Sequence, residues 1–487
     1  MSLRNAFFPD FHRAGLGRKP RAARLREVLK VRKLDAICLA HLDCLFGNAV
    51  PAWLRRFKAD TGVNSRKRAF TPILTFWAFL AQVLDAGSSC RAAVIRVQAL
   101  CAVKGLASVS ESTSAYCKAR ARLGAKLLIR VLRHVTEAVS RTAGDFGGQG
   151  RLLVIDGTSL SMPDTDANRG VYAYAPGQKP GCGFPLMYLL GLFDLRTGAC
   201  LRVVKSAARR HDSALAWRII GSLRAGDTLM ADRAFCSYAF IAACEARGVH
   251  VVMRLHQARD VDMRKGRHLG RRDRLHTWVK SARPHTGMSP ARHAALPPTL
   301  QMRIVATVVE IRGRRSETMY LATTLRDAGA HSAAQIAALY LRRWEVELFF
   351  DDIKTSQQMD VLRCLSPDMI ARELLMHLIA HNLVRLLIVQ AEKQRPAAQQ
   401  GRISFKGTLD RLNQWHCTLW GCKTRKEFDQ RHRELLRQIA ADLVAPRPGR
   451  REPRRIKRRR DCYLLLTQPR QIMRKLPEPP KRPKKAA

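Results

Sequence analysis

At 487 residues the chain is too long for one ordinary domain and long enough to bury a substantial core. Apolar residues make up 46% and charged residues 26%, the balance of a globular protein, which sets aside a disordered or fibrous chain. Lys and Arg number 87 against 39 Asp and Glu, and a net charge of +48 points to a polyanionic partner, nucleic acid being the commonest. Basic packing proteins of ribosomes or chromatin are short or low in complexity, and this chain is neither.

In chain order, residues 1–148 read as a helical, basic region able to hold DNA. "RLREVLKVRKLDAICLAHLDCLF", "FTPILTFWAFLAQVLDAG" and "SSCRAAVIRVQALCAVKG" have helical apolar spacing, the last with a Ser cap and a closing Gly. "STSAYCKARARLGAKLLIRVLRHVTEAVSRTAG" predicts one more long helix, and "FGGQG" breaks the chain. Over 149–256 the texture changes to strands. "RLLVID", "LMYLLGLFDL" and "ACLRVVKSA" precede a helix "SALAWRIIGSLRAG", the strand "DTLMAD", the helix "YAFIAACEARG" and the strand "HVVMRL". That order predicts an α/β fold with a mixed sheet flanked by helices. Residues 257–330 read as a β-rich insertion, 331–394 as helices completing the α/β unit, and 395–487 as a helical region with the basic, Pro-rich tail "RREPRRIKRRR".

The 13 cysteines form no C-x-x-C pair. Cys417 and Cys422 beside His416 lack a second ligand pair, so reduced thiols in a cytoplasmic protein fit better than zinc. The N-terminus lacks the apolar core of a signal peptide, and the apolar run 72–84 is too short for a bilayer, so no membrane role is expected.

Chemistry concentrates in three places. Asp156 and Asp232 each follow an apolar strand, with Gly157 after the first to permit a tight turn, and strand ends are where ligands bind in open α/β sheets. The third place is "YLRRWEVELFFDDIK" (340–354), apolar enough to predict burial yet rich in acids. At ~100° per residue, Arg343, Glu347 and Lys354 fall within roughly 60° of Tyr340, with Asp351 on the same stripe. Glu345 and Asp352 point elsewhere and read as ion pairs at the helix edge.

The spacing Tyr340-x2-Arg343-x3-Glu347-x6-Lys354 matches the Y-R-E-K motif of DDE transposases of the insertion sequence 4 family. "IDGTSLSMPDT" and "GDTLMADRAFCSY" resemble that family's two aspartate blocks, and the likeness covers about residues 70 to 410. The resemblance implies a ribonuclease-H-like core with the β-rich insertion between the second and third acids. It implies a catalytic, metal-holding triad of Asp156, Asp232 and Glu347 with two Mg (or Mn) ions. It also implies that Tyr340, Arg343 and Lys354 grip DNA phosphates. Trp278, in the basic insertion, is a candidate to stack on a displaced base, a core role being its plainer reading. Partners would be the element's terminal repeats and target DNA, bound by a homodimer on synapsed ends in the bacterial cytoplasm, at the nucleoid. Asp351 stands where the family often has a basic residue. A DNA-binding relative with decayed catalysis, and a nuclease without strand transfer, are the alternatives.

Overall fold

The computed structural model describes residues 21–49, 69–144, 150–175, 181–207, 212–284, 288–309, 317–395, 401–445, 468–473 and 475. The N-terminal 20 residues and the "RREPRRIKRRR" tail lie outside these. Five helices come first: α1 (Arg21–Phe46), α2 (Pro72–Leu84), α3 (Cys90–Val103), α4 (Thr113–Arg122) and α5 (Ala125–Ala143). Their starts follow local chemistry. The Thr71 and Ser89 side chains accept from Leu74 and Ala92 N–H, and Pro72 opens α2 where its missing N–H costs nothing. The single long helix expected over 112–144 is two, because the chain turns through Leu123 and Gly124 in extended conformation.

The α/β part runs β1 (Leu152–Ser161), α6 (Asp166–Arg169), β2 (Leu186–Asp194), β3 (Cys200–Ser206), α7 (Asp212–Ala216), β4 (Thr228–Ala231), α8 (Tyr238–Glu245) and β5 (His250–Arg254). The expected helix ending at Gly226 is only α7 and a short 3₁₀ turn at Ile220–Ser222. Next come β6 (Arg267–Gly270), β7 (Asp273–Val279), α9 (Pro290–Ala294), β8 (Thr299–Val309) and β9 (Glu317–Thr323). The chain closes with α10 (Ala333–Leu341), α11 (Glu345–Asp351), α12 (Pro367–Glu392), α13 (Phe405–Gly421), α14 (Arg425–Ala441) and α15 (Arg470–Met473).

Among the described residues all strands join one nine-stranded sheet, ordered β3-β2-β1-β4-β5-β9-β8-β7-β6. The first five have the ribonuclease-H-like arrangement: β1, β2 and β3 antiparallel, β4 and β5 parallel to β1. The strands of 257–330 extend this same sheet through the antiparallel β5–β9 pair.

Alternation along the strands divides the core. Val154, Met230 and Val252 point into the larger cluster, under the helices. Leu153, Ile155, Leu229, Val251 and Trp278 point into the second cluster, covered by α7 and α8. α12 is long and apolar enough to cross a bilayer, yet 89% of its apolar window is buried inside the protein. It is bound in place by polar contacts. Asn382 bonds both the N–H and the C=O of Cys200 at 2.8 and 2.9 Å and the Thr136 hydroxyl at 2.9 Å.

Candidate active site

Asp156 does not end its strand. It is the fifth residue of the ten-residue β1, paired opposite Gly191, and Gly157 is strand rather than turn. The strand continues because β2 pairs with it as far as Ser161, whereas β4 pairs with it only through Val154 and Met230. The sheet therefore opens between β1 and β4 one residue before Asp156 and Asp232, giving the crevice that strand ends were expected to provide.

Asp156 and Asp232 each lie two residues beyond Val154↔Met230, the last β1–β4 pair, both in extended backbone. Both share the parity of Val154 and Met230, so both face the larger, helix-covered core. The Asp156 carboxylate accepts from Gly157 N–H at 2.8 Å. Asp232 caps a 3₁₀ turn, accepting from Ala234 N–H at 2.8 Å. Arg254 likewise lies two residues beyond Val252, the β5 partner of Met230, and on the same face.

The helical run from Ala333 to Ser356 crosses this face, α10 packing on β5 and β8, α11 on β1. A capping box between Ser332 and Gln335 starts it. Its close approach depends on Gly191, where a Cβ would lie 3.1 Å from Phe350 Cζ and 2.6 Å from Phe193 Cε2. Phe350 and Phe193 meet edge to face over that gap, 5.1 Å between centroids.

The run delivers three motif side chains to the aspartates. Arg343, nearly buried, reaches Asp156 at 3.8 Å, and its guanidinium lies 4.5 Å from the Trp344 ring centroid. Its Nε is buried without a hydrogen-bond partner, as are those of several other arginines among the described residues. Lys354 Nζ donates to Thr158 Oγ1 at 3.2 Å, two residues along β1 from Asp156. Tyr340 is buried, and burial followed by the Asp232 charge pushes its phenol up, against Arg343 and Arg254, which pull it down. The phenol is thus held protonated, a donor.

Glu347 is exposed, not buried as the apolar segment predicted. The helix instead buries Val346, Phe349 and Phe350. Asp352 is the buried acid, paired with Arg385 on α12 and 3.9 Å from Arg402, which corrects its placement at the helix edge. Glu345 does pair at the edge, accepting from Arg342 Nε at 2.9 Å. Asp351 is exposed and accepts from the Thr355 hydroxyl at 2.6 Å.

Trp278 is not brought to this site. It sits in the second core, on the other side of the sheet, 5% exposed, with Arg259 3.9 Å above its ring. The structure makes it a core tryptophan, because the inward parity of β7 outweighs its polar neighbours in sequence. Arg254 and Thr158 had no distinctive sequence signal beyond strand parity with Asp232 and Asp156.

Among the described residues no three His, Cys, Asp or Glu side chains are drawn together tightly enough to hold a metal ion. The two aspartates lie just past the last β1–β4 pair, and Glu347 stands in solvent on the helix above β1. Carboxylate oxygens are the donors hard divalent cations take, so the three fit such an ion in kind.

A family profile described as "Transposase DDE domain" matches residues 147–383. The transposase InsG for insertion sequence element IS4 of Escherichia coli (strain K12) is 23% identical over 417 residues, spanning 84% of this chain and 90% of that protein. A cryo-EM structure of the piggyBac transposase synaptic complex with hairpin DNA aligns with a TM-score of 0.41 at 12% identity, over 86% of this chain and 88% of that one.

Proposed function

Because residues 147–383 match a transposase DDE domain and the chain is similar to an insertion sequence 4 transposase, we propose that it is a DNA transposase of that family, with Asp156, Asp232 and Glu347 as its catalytic carboxylates. Tyr340, Arg343 and Lys354 then hold phosphates of the element's end. One observation carries this reading. Asp156 in β1 and Asp232, capping the turn after β4, lie just past the last β1–β4 pair, and a single helical run sets Arg343 and Lys354 on the strand of the first.

DDE transposases use divalent metal ions; here two Mg (or Mn) ions on Asp156, Asp232 and Glu347 would activate the attacking oxygen and stabilise the leaving one. The chain's own residues do the rest. Arg343, with its guanidinium, and Lys354, with its ammonium, fix the scissile phosphodiester over β1. Tyr340, kept protonated, donates to a phosphate oxygen. Water adds to phosphorus, the P–O3′ bond breaks, and a 3′-hydroxyl and a 5′-phosphate result. That 3′ oxygen then attacks a second phosphodiester, whose own 3′ oxygen leaves, so a bond to target DNA replaces the one lost. Two ends must be held together for joining, which calls for a homodimer. The likeness to a bacterial insertion-sequence transposase fits a cytoplasmic protein acting at the nucleoid, away from membranes.

The test is a labelled duplex carrying the element's border, incubated with protein and Mg²⁺ and read on a denaturing gel. A discrete cut at the border is expected. Asp156→Asn, Asp232→Asn and Glu347→Gln should abolish it while leaving DNA binding largely intact. Equal loss of binding in all three would remove their catalytic assignment, and cutting without joined product would favour a nuclease.

A further inference from the structure

We propose that Asp352 and Arg385 are positioning residues that anchor the turn holding Lys354 against β1, an inference that rests on Lys354 holding phosphate as read above. The run from Tyr340 to Lys354 is not uniform α-helix. Residues Arg342–Trp344 form a 3₁₀ turn, winding about 120° per residue, so three residues run roughly 60° ahead of α-helix. On ideal helical angles that advance moves Lys354 from about 40° on one side of Tyr340 to about 20° on the other, so it stays on the shared face.

From Asp352 to Ser356 the helix widens into a π-turn, the one such turn among the described residues. Gln357 N–H bonds Asp352 C=O, five residues back, at 3.1 Å. Met359 and Asp360 N–H then reach six residues back, to Ile353 and Lys354 C=O at 3.2 and 3.4 Å. Lys354 sits inside this widened turn, which starts at Asp352 and continues past it. Its ammonium meets Thr158 on the strand of Asp156. The exit is fixed to the same strand, Ser161 N–H donating to Asp360 C=O at 3.1 Å.

A π-turn is intrinsically rare and needs an anchor. Asp352, its first residue, is buried and pairs with Arg385 on α12. Arg385 is itself confined, 4.9 Å from the Phe349 centroid and 5.2 Å from that of Phe405. It also lies against Gly198, where a Cβ would fall 2.6 Å from its Cζ. A buried ion pair adds little stability over apolar residues of the same volume. Its use at the head of the widened turn is explained by what the turn aims.

The experiment is a double-mutant cycle on affinity for the border duplex, using Asp352→Asn, Lys354→Ala and their combination, with thermal melting of each. Lys354→Ala should weaken binding about tenfold. Asp352→Asn should weaken it similarly, and the combination should bind no worse than Lys354→Ala alone. If Asp352→Asn fails to fold, the apolar pair Asp352→Leu with Arg385→Met restores the fold by volume and should still lack the contribution of Lys354. Losses that multiply, or an apolar pair that binds as the wild type does, would overturn the positioning role alone. A Lys354→Ala variant that binds normally would remove the phosphate role and this inference together.

Discussion

Two aspartate–arginine pairs in this molecule share a composition and little else. On β7 and β8, Arg303 is fully buried and bonds Asp273 through Nε at 3.0 Å and Nη2 at 2.6 Å. Its Nη1 donates to the carbonyls of Leu325, Asp327 and His331. Between β1 and α11, Arg343 stops 3.8 Å from Asp156, whose side chain is 24% exposed, and its buried Nε has no partner. The first pair is closed on itself and holds the sheet. The second stays open to something that arrives. Burial of charge alone would have selected Asp273 and Arg303 as the functional pair; the partly exposed Asp156 carboxylate and its long contact to Arg343 mark the other.

The comparison can be broken most forcefully at the open site. Asp232→Asn should cost on the order of 10³-fold or more in border cleavage, with unfolding free energy within about 0.5 kcal/mol of wild type by urea titration. Arg303→Ala should do the reverse in kind, losing about 3–5 kcal/mol by the same titration because Asp273 is left buried and unpaired. A loss under about 1 kcal/mol there would erase the distinction. Arg343→Lys should weaken border-duplex binding about tenfold in a gel-shift titration, since an ammonium lacks the planar fork, with stability nearly unchanged.

Acid probes the helix-covered core behind the open site. Burial drives the pKa values of His41, His377 and His381 down to about 3, and of His416 to about 4. Groups whose folded pKa is depressed stay neutral in the fold and take up protons on unfolding. Their stability is full above about pH 6.5 and is lost as pH falls toward the folded values, up to about 1.4 kcal/mol per unit for each. Urea titrations at pH 7 and 5.5 should show the drop, and a flat profile would contradict it. The smallest effect belongs to Asp351→Arg on the exposed helix face, about two- to threefold tighter border-duplex binding at low salt.

Much of this was legible in residue order. Element order anticipates an α/β mixed sheet, the family resemblance its ribonuclease-H-like half, and the Y-R-E-K spacing finds the helix that carries Arg343, Glu347 and Lys354. What stayed hidden depends on distant partners. Asp352 looks like a surface acid until Arg385, 33 residues on, is folded against it. Asp156 looks like a strand end until β2 is seen to carry the strand five residues further. Ideal helical angles put Lys354 on the right face although the path there runs through an overwound and then an underwound turn. Trp278 takes the core role that was its plainer reading, because β7 turns it inward.

The most direct test of the central claim, that Asp232 is a metal-holding catalytic carboxylate, is border cleavage by Asp232→Cys in Mg²⁺ and in Mn²⁺. A thiolate is a poor ligand for Mg²⁺ and a better one for softer Mn²⁺. The prediction is normal border-duplex binding, no cleavage in Mg²⁺, and partial recovery in Mn²⁺. Cleavage in Mg²⁺ at the wild-type rate would contradict the assignment.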